Sequence, residues 1–237
     1  MIDRTRGQET RQRILEEACK VFGEKGFRDA THAEICREAG ANVAAINYYF
    51  GTKEALYRAV FEHLSVLAET LYPFTQGVSE SASPEDQLHA FVRAFLGRVF
   101  DPDQLKHLHR IRMAEMFDPT GLLDEVMDQH LAKDRGHILG ILRQLLGTGV
   151  PERDLSWCEM SIVGQCLMVA HGPRDDRHKD IFGFSEAGVD LLAEHITDFS
   201  LAGVEAIRRK SNSATAWAHH TSGANTTRLE EDDEQFH

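Results

Sequence analysis

The stretch from Thr31 to Lys53, THAEICREAGANVAAINYYFGTK, constrains the fold more than any other part of this 237-residue chain. Thr31 followed three residues later by Glu34 is a capping-box pattern, so a short helix is expected to begin there, with Ile35 and Ala39 as its apolar face. Gly40 ends it. Asn42 can accept hydrogen bonds from the next free backbone N–H groups, which starts a second helix near Val43 that runs through Ala44, Ala45, Ile46, Asn47, Tyr48 and Tyr49. Two short helices joined by a tight glycine turn form a helix-turn-helix.

The second helix has the composition of a groove reader. Ile46 and Phe50, four apart, are committed to the interior, and Ala44 and Ala45 are small enough for close approach. Asn47 can bond two edge atoms of adenine, while tyrosine hydroxyls and Lys53 can hold phosphate oxygens. Taken one at a time, each tyrosine reads equally well as a half-buried surface aromatic. Duplex DNA is the partner that the combination fits.

The segment AEICREAGANVAAINYYFGTKEALYRAV resembles the DNA-binding signature of the TetR family of transcriptional regulators. The resemblance extends from about Thr10 to Val60 and includes RILEEACKVFGEKGF, similar to the family's first helix and its closing Gly-Phe. It implies that Thr31, Asn42, Val43, Ala44, Ala45, Asn47, Tyr48, Tyr49 and Lys53 occupy DNA-contact positions. Ala44 stands where the family commonly has Gly, Asn47 where it has Tyr and Tyr49 where it has His, so a base preference does not carry over. ANVAAINYYFGTKEALY is similar to the CerR/CecR-like subgroup.

A formal net charge of -12 at first argues against a polyanionic partner. Its distribution removes the objection. Residues 1–60 hold ten Lys/Arg against nine Asp/Glu, a balance of +1, while the remainder holds 16 against 29, a balance of -13. Arg4, Arg6, Arg11 and Arg13 form the densest basic cluster and are placed to reach phosphates or a minor groove, although Arg4 and Arg6 read equally as a solvated terminus.

Elsewhere the pattern is helical throughout. Ile14, Ala18, Val21 and Phe22 recur at helical spacing between Glu9 and Lys25, Gly26 stops that helix, and Phe27 returns to the core. Leu56, Val60, Leu64 and Leu67 form one stripe after Lys53, giving a long helix that joins head to body. Pro73 and QGVSESASPED mark a loop before a helix at Pro84. A helix from about Asp103 to Phe117 ends at Pro119, and RIRMAEMFDPTGLLDEVMDQH resembles part of the CerR-like C-terminal domain. A long pattern from Leu122 to Leu146 follows.

The last two helices are the expected dimer surface. Asp154 to His171 is apolar on more than one side, and a final helix starts at Ser185 with Phe184 and Val189 as a hydrophobic staple. The polar segment from Ser211, acidic at its end, is expected to be disordered.

No apolar run spans a bilayer and no signal peptide is recognisable, so a cytoplasmic protein is expected. Cys19, Cys36, Cys158 and Cys166 lack CxxC spacing, which fits reduced thiols. No GxSxG, HExxH, P-loop or GxGxxG occurs, and His107 and His109, two apart on a helix, diverge, so neither an enzyme nor a metal site nor a cofactor is expected. An effector-binding body is implied by the resemblance, and apolar pockets between bundle helices are the usual small-molecule sites. The candidate lining is Phe95, Arg112, Met113, Met116, Phe117, Met127 and Gln165, with ordinary core as the alternative for each; Arg112 and Glu115 can instead pair on the surface.

The sequence therefore reads as an all-α chain in three parts. Residues 1–60 form a three-helix helix-turn-helix domain, 61–210 a helical ligand-binding and dimerisation domain, and 211–237 an acidic tail. The expected function is a homodimeric repressor released from double-stranded operator DNA by a small molecule. The alternative is a constitutive DNA-binding or protein-interaction module with no effector.

Overall fold

The computed structural model describes residues 2–226 apart from 76, 80, 104 and 171–185. Every regular element among the described residues is an α-helix: α1 (Ile2–Asp29), α2 (His32–Ala39), α3 (Val43–Phe50), α4 (Lys53–Leu71), α5 (Pro84–Phe100), α6 (Lys106–Phe117), α7 (Asp124–Leu146), α8 (Glu152–Ala170) and α9 (Glu186–Thr226). Within α1, Gly26 leaves the helical region at φ 75°, ψ 175°, a conformation that costs a side-chain-bearing residue dearly. The helix thus breaks where the sequence places its stop, and Phe27 turns inward onto Phe22 and Tyr57, with ring centroids 6.3 Å and 5.1 Å away.

The chain divides into two compact units. The first comprises residues 1–77 and 93–136, and in it α1 packs against α2, α4 and α6. Its core is one cluster drawn from Ile14, Ala18 and Phe22 of α1, Ile35 of α2, Ile46 of α3, Leu56, Tyr57, Val60 and Phe61 of α4, and Leu108 and Ile111 of α6. Burying each such large side chain contributes roughly 1.5–3 kcal/mol. This cluster is what holds α3 in place. The second unit comprises residues 78–92 and 137–237, where α8 packs on α9 and the buried side chains include Leu155, Cys158, Ile162, Cys166, Ala193 and Ile196.

Several boundaries differ from the sequence reading, beginning with α1, which starts at Ile2 and not at Glu9. The helix expected from Asp103 begins at Lys106, because the Asp101 carboxylate accepts from the Asp103 and Leu105 N–H groups at 3.1 Å and 2.9 Å and keeps the chain in a turn. The final helix continues to Thr226, so an irregular segment from Ser211 is not what the backbone shows. Polar composition argued for disorder there, but no glycine or proline interrupts 211–222 and alanines favour the helix. Compact packing also groups residues 93–136 with the first 77, whereas the sequence division fell after residue 60. The Phe184 staple and the last eleven residues lie outside the described residues.

Candidate nucleic-acid interface

Caps set the geometry of α2 and α3. Thr31 Oγ1 accepts from the Glu34 N–H at 3.2 Å, and Asn42 Oδ1 accepts from the Ala45 N–H at 2.8 Å. Between them Gly40 adopts the left-handed conformation at φ 57°, ψ 37°, and its N–H closes on the Arg37 carbonyl. That turn needs glycine. Each cap contributes about 1 kcal/mol, and together they fix where both helices begin. Ile35, Ala39 and Ile46 then face inward, so the remaining surface of α3 faces out.

Of the residues assigned to DNA contact, Asn42, Val43, Ala44, Asn47 and Tyr48 are exposed on and beside α3. Tyr48 is 82% exposed, with its ring and hydroxyl open to solvent. Its ring meets Tyr49 edge-on at 4.9 Å. Ala45 and Tyr49 are half-buried and pack against the core, and a Cβ at Gly7 would lie 3.3 Å from the Tyr49 hydroxyl. They share their surface between interior and solvent. Thr31 is exposed at the start of α2. Lys53 is half-buried; its ammonium lies 4.5 Å from the Phe27 ring centroid and donates to the Arg28 carbonyl at 3.3 Å. A phosphate would compete with these contacts, which the sequence did not reveal.

The sequence reading passed over Thr52, an N-cap residue type like Thr31 but with Ala55 where Thr31 has Glu34 three residues on. It caps α4 by accepting from the Ala55 N–H at 3.2 Å, immediately after Gly51 at φ 79° has ended α3. The exposed N-terminal end of α4 therefore sits directly after the exposed face of α3, and helix N-termini favour anions.

Contacts from α4 continue into the α6–α7 turn. Tyr57 donates its hydroxyl to Glu115 Oε1 at 2.9 Å, and Glu115 also accepts from the Thr120 N–H and hydroxyl at 2.9–3.0 Å. Burial, with the neighbouring carboxylate, pushes the Tyr57 phenol far above its ordinary range, so it stays a donor. Arg58 Nε donates to the Leu122 carbonyl at 2.8 Å, and Arg28 pairs with Asp118. Glu115 is thus buried and satisfied, not paired with Arg112 at the surface as the sequence allowed.

The structure separates the candidate ligand residues. Met116 is 58% and Phe117 80% exposed at the end of α6, so both leave the set; helical phase turns them outward once Ile111 and Glu115 face in. Phe95, Arg112, Met113 and Met127 are half-buried in the first unit. Gln165 belongs to the second unit, where its amide donates to Ser161 O at 3.0 Å and Ser200 Oγ at 3.3 Å. Among the described residues there is no group of three or more metal-ligating side chains, and no helix is long and apolar enough to cross a membrane.

Comparison with known proteins bears directly on these helices. Residues 14–60 match the model for bacterial regulatory proteins of the tetR family, and residues 84–204 match that for the C-terminal domain of the HTH-type transcriptional dual regulator CecR. The chain belongs to the TetR family. The HTH-type transcriptional dual regulator CecR of Shigella flexneri is 24% identical over 170 residues, 68% of this chain and 76% of that protein. The uncharacterized HTH-type transcriptional regulator TtgW of Pseudomonas putida is 34% identical over 128 residues, 54% of this chain and 89% of that one. Among solved structures, AibR in complex with isovaleryl coenzyme A and operator DNA aligns with a TM-score of 0.61 at 16% identity, over 80% of this chain and 97% of that one. This member of the TetR family is accordingly an all-helical, DNA-binding transcriptional regulator.

Proposed function

We propose that this TetR family regulator acts as a homodimeric repressor that a small molecule releases from its operator. The observation that carries the reading is the face of α3. Asn42, Val43, Ala44, Asn47 and Tyr48 are held outward by two side-chain caps and an apolar interior, in the arrangement that a major groove accepts. In this reading Asn47 reads a base edge and Tyr48 holds the backbone, with Thr31, Ala45, Tyr49 and Lys53 at the margins of the contact.

Dimerisation is supported by the outer surfaces of α8 and α9. Trp157, Met160 and Met168 on α8, with Leu191 and Phe199 on α9, expose large apolar side chains at helical spacing. A second copy covering them would bring two α3 helices to one operator, whose half-sites lie roughly 34–36 Å apart. Release follows if the effector favours a separation that the operator disfavours. AibR, a structural neighbour, was solved with both a small molecule and operator DNA, which supports a regulator that binds both kinds of partner. The cytoplasm is where such an operator is met.

The test has two stages. DNA retained by the full-length protein from a genomic fragment library is sequenced, and the operator so found is titrated against Asn47→Ala and Tyr48→Ala. Asn47→Ala is expected to lose about 1–3 kcal/mol of discrimination at one base position, and Tyr48→Ala to weaken all sequences alike. Unchanged affinity in both variants would remove α3 from the interface. Effector affinity measured with and without saturating operator should then differ by roughly 5–150-fold. Equal values would make the protein a constitutive binder.

A further inference from the structure

Two arginines in the first unit share one carboxylate, and only one of them is satisfied. Arg98 of α5, 9% exposed, donates Nε to the Tyr72 carbonyl at 2.9 Å and Nη1 to Asp134 Oδ1 at 3.3 Å, and its guanidinium lies 3.8 Å from the Phe74 ring centroid. It is a strut. Arg112 of α6 approaches the other oxygen of Asp134 no closer than 3.9 Å, too far for a hydrogen bond. Its Nε is sealed from solvent and has no partner, while about a fifth of the side chain (21%) still reaches solvent. Its Cζ lies 5.8 Å from the ring centroid of the fully buried Phe61.

Neighbouring acids do not fill the gap. Glu69 is taken by Lys133 and by His130 Nδ1 at 3.3 Å, and Glu62 by His130 Nε2 at 3.0 Å. Asp134 bonds Arg98 first, so the two guanidiniums stand against one carboxylate. Burial and the charge of Arg98 both act against the Arg112 cation, with Asp134 opposing them. A buried charge with unmade hydrogen bonds destabilises a core that an apolar residue would fill at no such cost. A guanidinium that keeps an Nε–H and an adjacent Nη–H unpaired presents the fork that two oxygens of a carboxylate or phosphate accept.

We propose that the free edge of Arg112, backed by Arg98 and bordered by Phe61, binds the oxyanion of a small molecule, a carboxylate or a phosphate ester. The proposal rests on the ligand-responsive reading above and names the chemical class of that ligand. The Arg112 side chain supplies the two donors. Asp134 and Arg98 hold it in place, and the apolar residue Phe61 excludes water from one side. Three residues further along α6, Glu115 holds Tyr57 of α4, so the proposed site lies one helical turn from a bond to the helix that follows α3.

The experiment compares thermal midpoints of the full-length protein, Arg112→Met and Arg112→Lys at pH 7.5 in sodium chloride, sodium acetate and sodium phosphate of equal ionic strength. General salt effects act on all three proteins, so the gain specific to Arg112 is the difference between wild type and variants. That gain is expected to reach about 2–4 °C when the anion stands near ten times its dissociation constant. Arg112→Met should lack it while melting higher than wild type in chloride, and Arg112→Lys, which keeps the charge and loses the fork, should retain only part. A gain in acetate alone identifies a carboxylate, and one in phosphate alone a phosphate ester. Equal gains in all three proteins overturn the site, and should Arg112→Met fail to fold, Arg112→Lys decides alone. Operator titration in the stabilising anion separates the two readings: a specific gain with unchanged operator affinity leaves the anion site standing and ends the effector role.

Discussion

The outward face of α3 and the outward faces of α8 and α9 are both left open by the chain, yet they differ in chemistry. On α3 the exposed groups are small or carry hydrogen-bonding atoms, with Asn47 and Tyr48 the most prominent, and beneath them Ile35, Ile46 and their neighbours form a buried interior. On α8 and α9 large apolar groups stand exposed, Trp157, Met160, Met168, Leu191 and Phe199, beside polar neighbours such as Ser161, Glu194, His195 and Asp198. DNA is bound by hydrogen-bonding and charged groups, which meet phosphate oxygens and base edges. A protein surface of the same kind is bound by apolar area that water leaves. Under the proposed function the first face meets DNA and the apolar side chains of the second meet another copy of the chain.

Reversing that chemistry on one face should produce the largest effect. Phe199 is 66% exposed, so Phe199→Glu should leave the single chain folded while placing a charge in the paired surface. The dimer dissociation constant is expected to rise at least about 30-fold, the consequence of losing 2 kcal/mol or more at a buried aromatic anchor, and operator affinity should fall with it. Analytical ultracentrifugation and operator titration measure the two. Tyr48→Ala is the reciprocal variant: it should weaken the operator complex and leave the dimer constant where it was. A Phe199→Glu protein with an unchanged dimer constant would assign that stripe to another partner.

A smaller effect tests how completely the first unit is closed. A Cβ added at Gly23 of α1 would lie 2.5 Å from Nδ1 and 2.6 Å from Cβ of the buried His107 on α6. Backbone or helix must move, and overpacking of this kind costs about 1–3 kcal/mol. Gly136 in α7 has nothing within 4 Å of such an atom, so Gly136→Ala should instead gain about 0.5–1 kcal/mol from helix propensity. Denaturant midpoints of opposite sign are expected. A Gly23→Ala protein as stable as wild type would mean that the α1–α6 seam is looser than the structure shows.

Legibility in the sequence followed the same division. The starts of the two reading helices and the turn between them were legible because they are set by local chemistry, in which Thr31, Gly40 and Asn42 act on backbone groups three to four residues away. The apolar stripe of α4 was equally plain, since its period is a property of one helix. What could not be read depends on contacts between distant segments. Glu115 sits 58 residues from Tyr57 and Lys53 25 residues from Arg28, and nothing in either neighbourhood announces the other. Met116 and Phe117 illustrate the converse, because their apolar character suggested a lining and only the helical phase set by Glu115 turned them outward. Arg112 was singled out by residue type, but its unpaired Nε is visible only once Asp134 and Arg98 are in place.

The smallest expected effect concerns acid. His107, sealed against Gly23, has its pKa lowered below the ordinary 6.5, chiefly by burial and also by Lys106, Arg110 and Lys20, with Glu24 opposing; burial and Arg11 lower that of His63 in the same unit, with Glu16 opposing. Both imidazoles are held neutral in the folded chain and take up a proton more readily in the unfolded one. Their contribution is therefore complete above pH 6.5 and is lost progressively as the pH falls from there through the lower folded values. Under α8 and α9 the buried titratable groups are different: the Cys166 thiol is pushed up to about 12 by burial and the Cys158 thiol is also raised, so neither changes charge on acidification. Mild acid should then loosen the first unit before the second. Hydrogen exchange at pH 7.5 and 5.5, with rates corrected for intrinsic pH dependence, should show protection falling more in α1 and α6 than in α8 and α9. His107→Leu, which fills the same space without a titrating group, should shrink that difference. An equal loss of protection in both units would mean that the α1–α6 seam does not depend on a neutral imidazole and that the two units do not differ in their response to protons.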